Sequence, residues 1–185
     1  MDTARPLYSQ EIHSFLLWMP NWIGDVVLTL PVIQSLRRAY PVARISVVAK
    51  SPSDELLLGH PSISTVFTLP SGSENGFWQK TKFARNLKKF NFDVGVVFPN
   101  SFGSAFLLSL TGVKCRLGYN TDAREILLTH PVKTTSRLKK AQYRVEYFFK
   151  ILSSLKLDTP DREFAPLISQ EGDATTREVL LDMGL

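Results

Sequence analysis

Residues 15–39 read FLLWMPNWIGDVVLTLPVIQSLRRA. The apolar run Phe15 to Met19 ends at Pro20. It suits a buried strand and is too short for a membrane span or a leader core. A helical pattern occupies Asp25 to Ala39, so the segment reads as strand, polar loop and helix. Pro31 lacks an amide hydrogen and predicts a kink or a tightened first turn. Gly24 would let the backbone approach a ligand closely.

The same alternation continues downstream. Short apolar runs at Arg44 to Ala49, Ser64 to Thr68, Asp93 to Phe98 and Lys114 to Gly118 are separated by helical patterns near Ser53 to Leu58, Phe77 to Lys89 and Gly103 to Leu110. This order predicts βαβ units: an α/β, Rossmann-like, mainly parallel sheet with helices on both faces. Leu138, Ala141, Val145, Phe148, Leu152 and Leu155 recur at intervals of three and four and form the stripe of a covering helix. Thr159-Pro160 breaks it. A short extended segment at Phe164 to Ile168 and a polar helix at Gln170 to Met183 follow. Residues 1–13 read as a polar extension without an assigned role, and 14–185 as one domain. The ending Met183-Gly184-Leu185, a helix C-cap where a strand should follow, reads as a truncation point.

Composition removes several classes of function. A single cysteine, Cys115, allows neither an internal disulfide nor a cysteine-based zinc cage, and suits a reducing cytoplasm. His13, His60 and His130 are scattered and offer no metal-binding spacing. Neither GxGxxG after the first strand nor GxxxxGK[ST] occurs, which argues against a common dinucleotide site and a P-loop. The net charge of +5 favours an anionic partner. Its basic residues gather at Lys80/Lys82/Arg85/Lys88/Lys89 and Lys133/Arg137/Lys139/Lys140/Arg144, either as solvated helix faces or as binding surfaces.

In open α/β sheets ligands lie beyond the carboxyl ends of the strands, where strand order reverses. That rule selects the loops Pro20–Asp25, Pro99–Gly103 and Gly118–Arg124. Asp25 at the start of the first helix either complements the helix dipole or faces a ligand. Asn100 and Ser101 either bind sugar hydroxyls or form a turn and an N-cap. Arg124 either clamps a phosphate or carboxylate or pairs with a nearby acid. Trp22, Phe102 and Tyr119 are candidates for an apolar wall under a sugar ring, or ordinary packing.

Taken in register, Asn21-Trp22-Ile23-Gly24-Asp25, Phe98-Pro99-Asn100-Ser101-Phe102 with Ser104-Ala105, Gly118-Tyr119 leading through Arg124 to Leu127-Leu128, and Arg144-Val145-Glu146-Tyr147 resemble the heptosyltransferases of glycosyltransferase family 9. The resemblance implies the N-terminal half of a metal-independent GT-B enzyme that transfers heptose from ADP-heptose to the inner core of lipopolysaccharide with inversion. Asp25 would be the base. Trp22, Gly24, Asn100, Ser101, Tyr119, Arg124 and Arg144 would contact the acceptor, a heptosyl-Kdo-lipid A type of core. ADP-heptose is the donor substrate, no cofactor is implied, and the donor-holding segments belong after residue 185. A cytoplasmic location follows, with peripheral contact to the anionic inner membrane as a further use of the basic clusters. The rival reading is a noncatalytic module that binds a phosphoglycan or another anion. A nucleic-acid-binding domain finds no RRM, KH or helix-turn-helix signature.

Overall fold

The computed structural model describes residues 11–71, 76–134 and 144–157. β1 (Ser14–Trp18) leads into α1 (Ile23–Ala39), followed by β2 (Arg44–Ala49), α2 (Ser53–Leu57), β3 (Thr65–Thr68) and α3 (Gly76–Asn86). A 3-10 turn at Leu87–Phe90 precedes β4 (Val94–Val97), α4 (Phe102–Leu110), β5 (Cys115–Tyr119), a second 3-10 turn at Arg124–Leu127, and β6 (His130–Val132). α5 (Arg144–Lys150) and the 3-10 turn Ile151–Leu155 complete the described chain. Leu138, Ala141, the segment Phe164 to Ile168 and the helix Gln170 to Met183 fall outside the described residues.

The six strands form one parallel sheet in the order β3-β2-β1-β4-β5-β6. This is the α/β, Rossmann-like fold expected from the alternating pattern. β1 is buried throughout because it lies at the centre, with Leu17 opposite Val47 on one side and Val96 on the other. Side chains alternate between two apolar layers. Phe15, Leu17, Ile45, Val47, Val94 and Val96 join residues of α1 and α5 on one face. Leu16, Trp18, Val48 and Val97 join residues of α3 and α4 on the other.

α1 continues through Pro31, which is buried inside it. One strand departs from the expectations. β6 was not foreseen: Pro131 sits inside it, and the strand pairs only with β5. An edge strand tolerates a proline because one side of its backbone has no ladder to serve.

The sheet reverses its winding between β1 and β4. There the loops after the two strands diverge and leave a crevice at their carboxyl ends. The opposite end of the same seam is closed by Asp93, whose Oδ2 accepts hydrogen bonds from the amides of His13 and Ser14 and from Ser14 Oγ, each at 2.9 Å.

Candidate functional site

A cleft of about 280 Å³ opens at that reversal, lined by Pro20, Asn21, Trp22, Asp25, Phe98, Pro99, Asn100, Ser101, Tyr147 and Phe148. The loops after β1 and β4 thus supply most of it, the first turn of α1 supplies Asp25, and α5 supplies Tyr147 and Phe148. Trp22, 78% exposed, precedes the first turn of α1 without capping it by a side-chain bond. Asp25 stands in that first turn, where the unpaired amide ends of the helix favour negative charge. Gly24 lies between them. A Cβ there would meet nothing within 4 Å, so the position borders open space, although Gly24 does not itself line the cleft.

Ser101 is the N-cap of α4, its Oγ accepting from the Ser104 amide at 3.3 Å. The turn-and-cap use of this residue is therefore realised, and Ser101 still lines the cleft. Asn100 is held from three sides. Its Oδ1 accepts from Arg124 Nη2 at 3.3 Å, its Nδ2 donates to Tyr147 Oη at 2.6 Å, and its carbonyl accepts from Thr121 Oγ1 at 3.0 Å.

Arg124 and Tyr119 occupy different places from those a ligand contact requires. Neither lines the cleft, and both side chains are wholly buried. Two left-handed residues, Asp122 (φ 51°) and Ala123 (φ 54°), turn the chain so that the Arg124 side chain passes beneath the loops. Its Nε donates to the Tyr119 carbonyl at 2.6 Å and its Nη1 to the Pro99 carbonyl. Burial pushes its pKa down to about 10. The guanidinium pairs with carbonyls and an amide, where the sequence offered an anion or an acid as its partner. Tyr119 Oη donates to the Tyr147 carbonyl, and the two rings stack at 4.3 Å. Burial, followed by the neighbouring Tyr147, pushes the Tyr119 phenol up. Gly118 makes this crowding possible, since a Cβ there would lie 2.7 Å from Val97 Cγ1 and 3.3 Å from the Val97 carbonyl.

Arg144 opens α5, and its side chain lies outside the described residues. Tyr147 and Phe148, one turn farther on, are cleft residues that the reading of individual side chains missed. Phe148 belongs to the apolar stripe, where an aromatic residue is indistinguishable by spacing from core, and Tyr147 lies beside that stripe. Among the described residues no three His, Cys, Asp or Glu side chains gather as a metal set. No helix among them is long and apolar enough to cross a membrane.

Residues 80–179, more than half of the chain, match the family described as glycosyltransferase family 9 (heptosyltransferase). The chain belongs to glycosyltransferase family 9. The span matched to the family includes Asn100, Ser101, Tyr119, Arg124 and Arg144, and not Asp25. Among curated relatives, the lipooligosaccharide heptosyltransferase 2 of Haemophilus ducreyi is 30% identical over 110 residues, covering 59% of this chain and 31% of the relative. The lipopolysaccharide heptosyltransferase 2 of Escherichia coli K12 is 30% identical over 112 residues, covering 59% and 32%. The alignments therefore span about a third of these relatives.

Solved structures share the fold. A family 9 glycosyltransferase from Veillonella parvula superposes with a TM-score of 0.81 at 18% identity, covering 96% of this chain and 52% of that one. The E. coli ADP-heptose lipopolysaccharide heptosyltransferase II gives 0.70 at 21% identity, covering 90% and 50%. In both, this chain corresponds to about half of the solved protein.

Proposed function

We propose that this chain is the acceptor-binding half of an inverting heptosyltransferase that takes heptose from ADP-heptose to the inner core of lipopolysaccharide. The observation that carries the reading is the shared cleft. A first-turn carboxylate, Asp25, and the polar pair Asn100 and Ser101 line one crevice, although they come from separate strand-to-helix loops.

In the proposed reaction, an acceptor hydroxyl lies against Asp25 and its oxygen attacks the anomeric carbon of the donor heptose. The hydroxyl proton passes to the Asp25 carboxylate as the new C–O bond forms. ADP departs from the opposite face with the electron pair of the broken bond, and the anomeric configuration inverts. A positioned base of this kind contributes about 10²–10⁴-fold. Stabilising the departing diphosphate falls to a donor-binding half. Asn100 offers amide groups and Trp22 an exposed ring beside the acceptor, the usual components of a sugar site. Arg124, Tyr119 and Gly118 act at one remove by fixing the walls of the cleft.

The test is Asp25→Asn in an enzyme that joins this chain to a donor-binding half. The substitution preserves size and removes charge and basicity. Heptose transfer should fall by roughly 10²-fold or more, while acceptor affinity changes little and the melting temperature stays near that of the parent. A rate within a few-fold of the parent, with chemistry limiting, would reduce Asp25 to a helix-dipole partner.

A further inference from the structure

Asn100 is an exposed residue of the cleft wall, and its neighbours fix which end of its amide a ligand meets. The Arg124 guanidinium carries only N–H donors, so the amide atom that faces it is the oxygen. That oxygen accepts from Nη2 at 3.3 Å and is thereby committed to a side chain that is itself wholly buried. Nδ2 carries two hydrogens, and one of them goes to Tyr147 Oη at 2.6 Å. Among the described residues the second meets no acceptor.

The other oxygens of this wall are committed in the same way. The Pro99 carbonyl accepts from Arg124 Nη1, the Asn100 carbonyl from Thr121 Oγ1 at 3.0 Å, and the Ser101 carbonyl from Ser104 Oγ at 2.7 Å. Ser101 Oγ accepts from the Ser104 amide at 3.3 Å and donates its own proton to Ser104 Oγ at 3.1 Å. Every oxygen from Pro99 to Ser101 thus serves the fold, and the polar group kept for a ligand is the remaining Asn100 N–H. A buried guanidinium bonded to neutral oxygens polarises that amide and strengthens it as a donor. Asp25, in the same cleft, offers carboxylate oxygens, which only accept.

We infer that Asn100 is a specificity-determining residue that meets the sugar as a donor only, so that the cleft selects its ligand by hydrogen-bond polarity. The sugar must turn the proton of one hydroxyl towards Asp25 and the lone pair of a second oxygen towards Asn100. A hydroxyl placed at Asn100 is held through its oxygen and keeps its proton, whereas the one at Asp25 is the one that can lose it. The pair of side chains therefore decides which hydroxyl of a polyol becomes the nucleophile. The inference rests on the reading of this cleft as a sugar-acceptor site and adds the rule by which it tells one hydroxyl from another.

The test is calorimetric titration of the 185-residue chain with core oligosaccharide, for the parent and for Asn100→Asp. The aspartate keeps an oxygen for Arg124 and adds a charge to that pair, but has no N–H to give. Its melting temperature should match or exceed that of the parent, while affinity falls by about tenfold or more. The loss should persist in about 1 M salt, which screens repulsion between the new carboxylate and charges on the oligosaccharide. A second measurement needs no folded variant: the side-chain amide proton resonances of Asn100 in the parent chain should shift as the oligosaccharide saturates. Parental affinity in the variant, a loss that vanishes at high salt, or an amide signal unmoved at saturation would overturn this inference and leave the acceptor reading standing. Failure of the parent chain to bind the oligosaccharide would overturn both.

Discussion

The Nη2 of Arg124 donates to Oδ1 of Asn100 at 3.3 Å, which leaves the amide's Nδ2 to donate to Tyr147. A buried cation therefore decides which way a cleft side chain is turned. Arg124→Met would leave the carbonyls of Tyr119 and Pro99 buried without their donors. An unsatisfied buried group costs about 1–3 kcal/mol, so a loss of roughly 3 kcal/mol is expected from urea unfolding. Arg124→Lys should recover only part of it, since one ammonium cannot reproduce the fork. Wild-type stability in both variants would remove Arg124 from this role.

Tyr147→Phe keeps the stack on Tyr119 and removes the oxygen that accepts from Asn100 Nδ2. Stability should fall by only about 1 kcal/mol, the usual net worth of one hydrogen bond. Acceptor affinity, measured by titration with core oligosaccharide, should fall several-fold because the freed amide can rotate. Unchanged affinity would mean that Asn100 is held well enough by Arg124 alone.

Two glycines near the site should respond oppositely to a methyl group. Gly118→Ala drives a Cβ against Val97, with 2.7 Å to its side chain and 3.3 Å to its carbonyl. Such overpacking costs about 1–3 kcal/mol. Gly24→Ala meets nothing within 4 Å and lies in a helix, so thermal melting should show neutral or slightly raised stability. Equal losses at both positions would contradict these packing assignments.

His60 makes the fold sensitive to acid. It is buried, its Nδ1 accepts from the Ser62 amide at 3.1 Å, and burial lowers its pKa. The unfolded chain takes up this proton near pH 6.5 and the folded chain only at lower pH. The contribution is therefore fully present above about pH 6.5 and is lost as pH falls through the folded value, with a slope of at most about 1.4 kcal/mol per pH unit. Denaturation midpoints between pH 7 and 5 should fall, and His60→Asn, whose Oδ1 can accept the same amide, should flatten the trend. His130, also lowered by burial, should leave a residual slope.

The order of strands and helices was legible because apolar runs and helical patterns alternate cleanly from Phe15 to Leu110. β6 was not, because three residues containing a proline carry no period. The reversal of winding predicted which loops meet, and Asp25, Asn100 and Ser101 do line one cleft. The burial of Arg124 and Tyr119 could not be read in the same way. A guanidinium in a polar loop looks the same in sequence whether it faces a ligand or three backbone and amide oxygens. Only the turn through Asp122 and Ala123 distinguishes the two, and although aspartate tolerates the left-handed conformation, nothing in alanine announces a second residue of that kind.

The parallel pairing of β1 with β4 also governs when the cleft can exist. Asp93 grips Ser14 across 79 positions of sequence, and everything from α1 to α3 lies within the loop that this contact closes. Closing such a loop precedes any reward from the contacts it brings together. The two walls of the cleft are therefore strangers until the central seam has zipped, and a ligand held between them reports that the whole amino-terminal excursion has folded back into place.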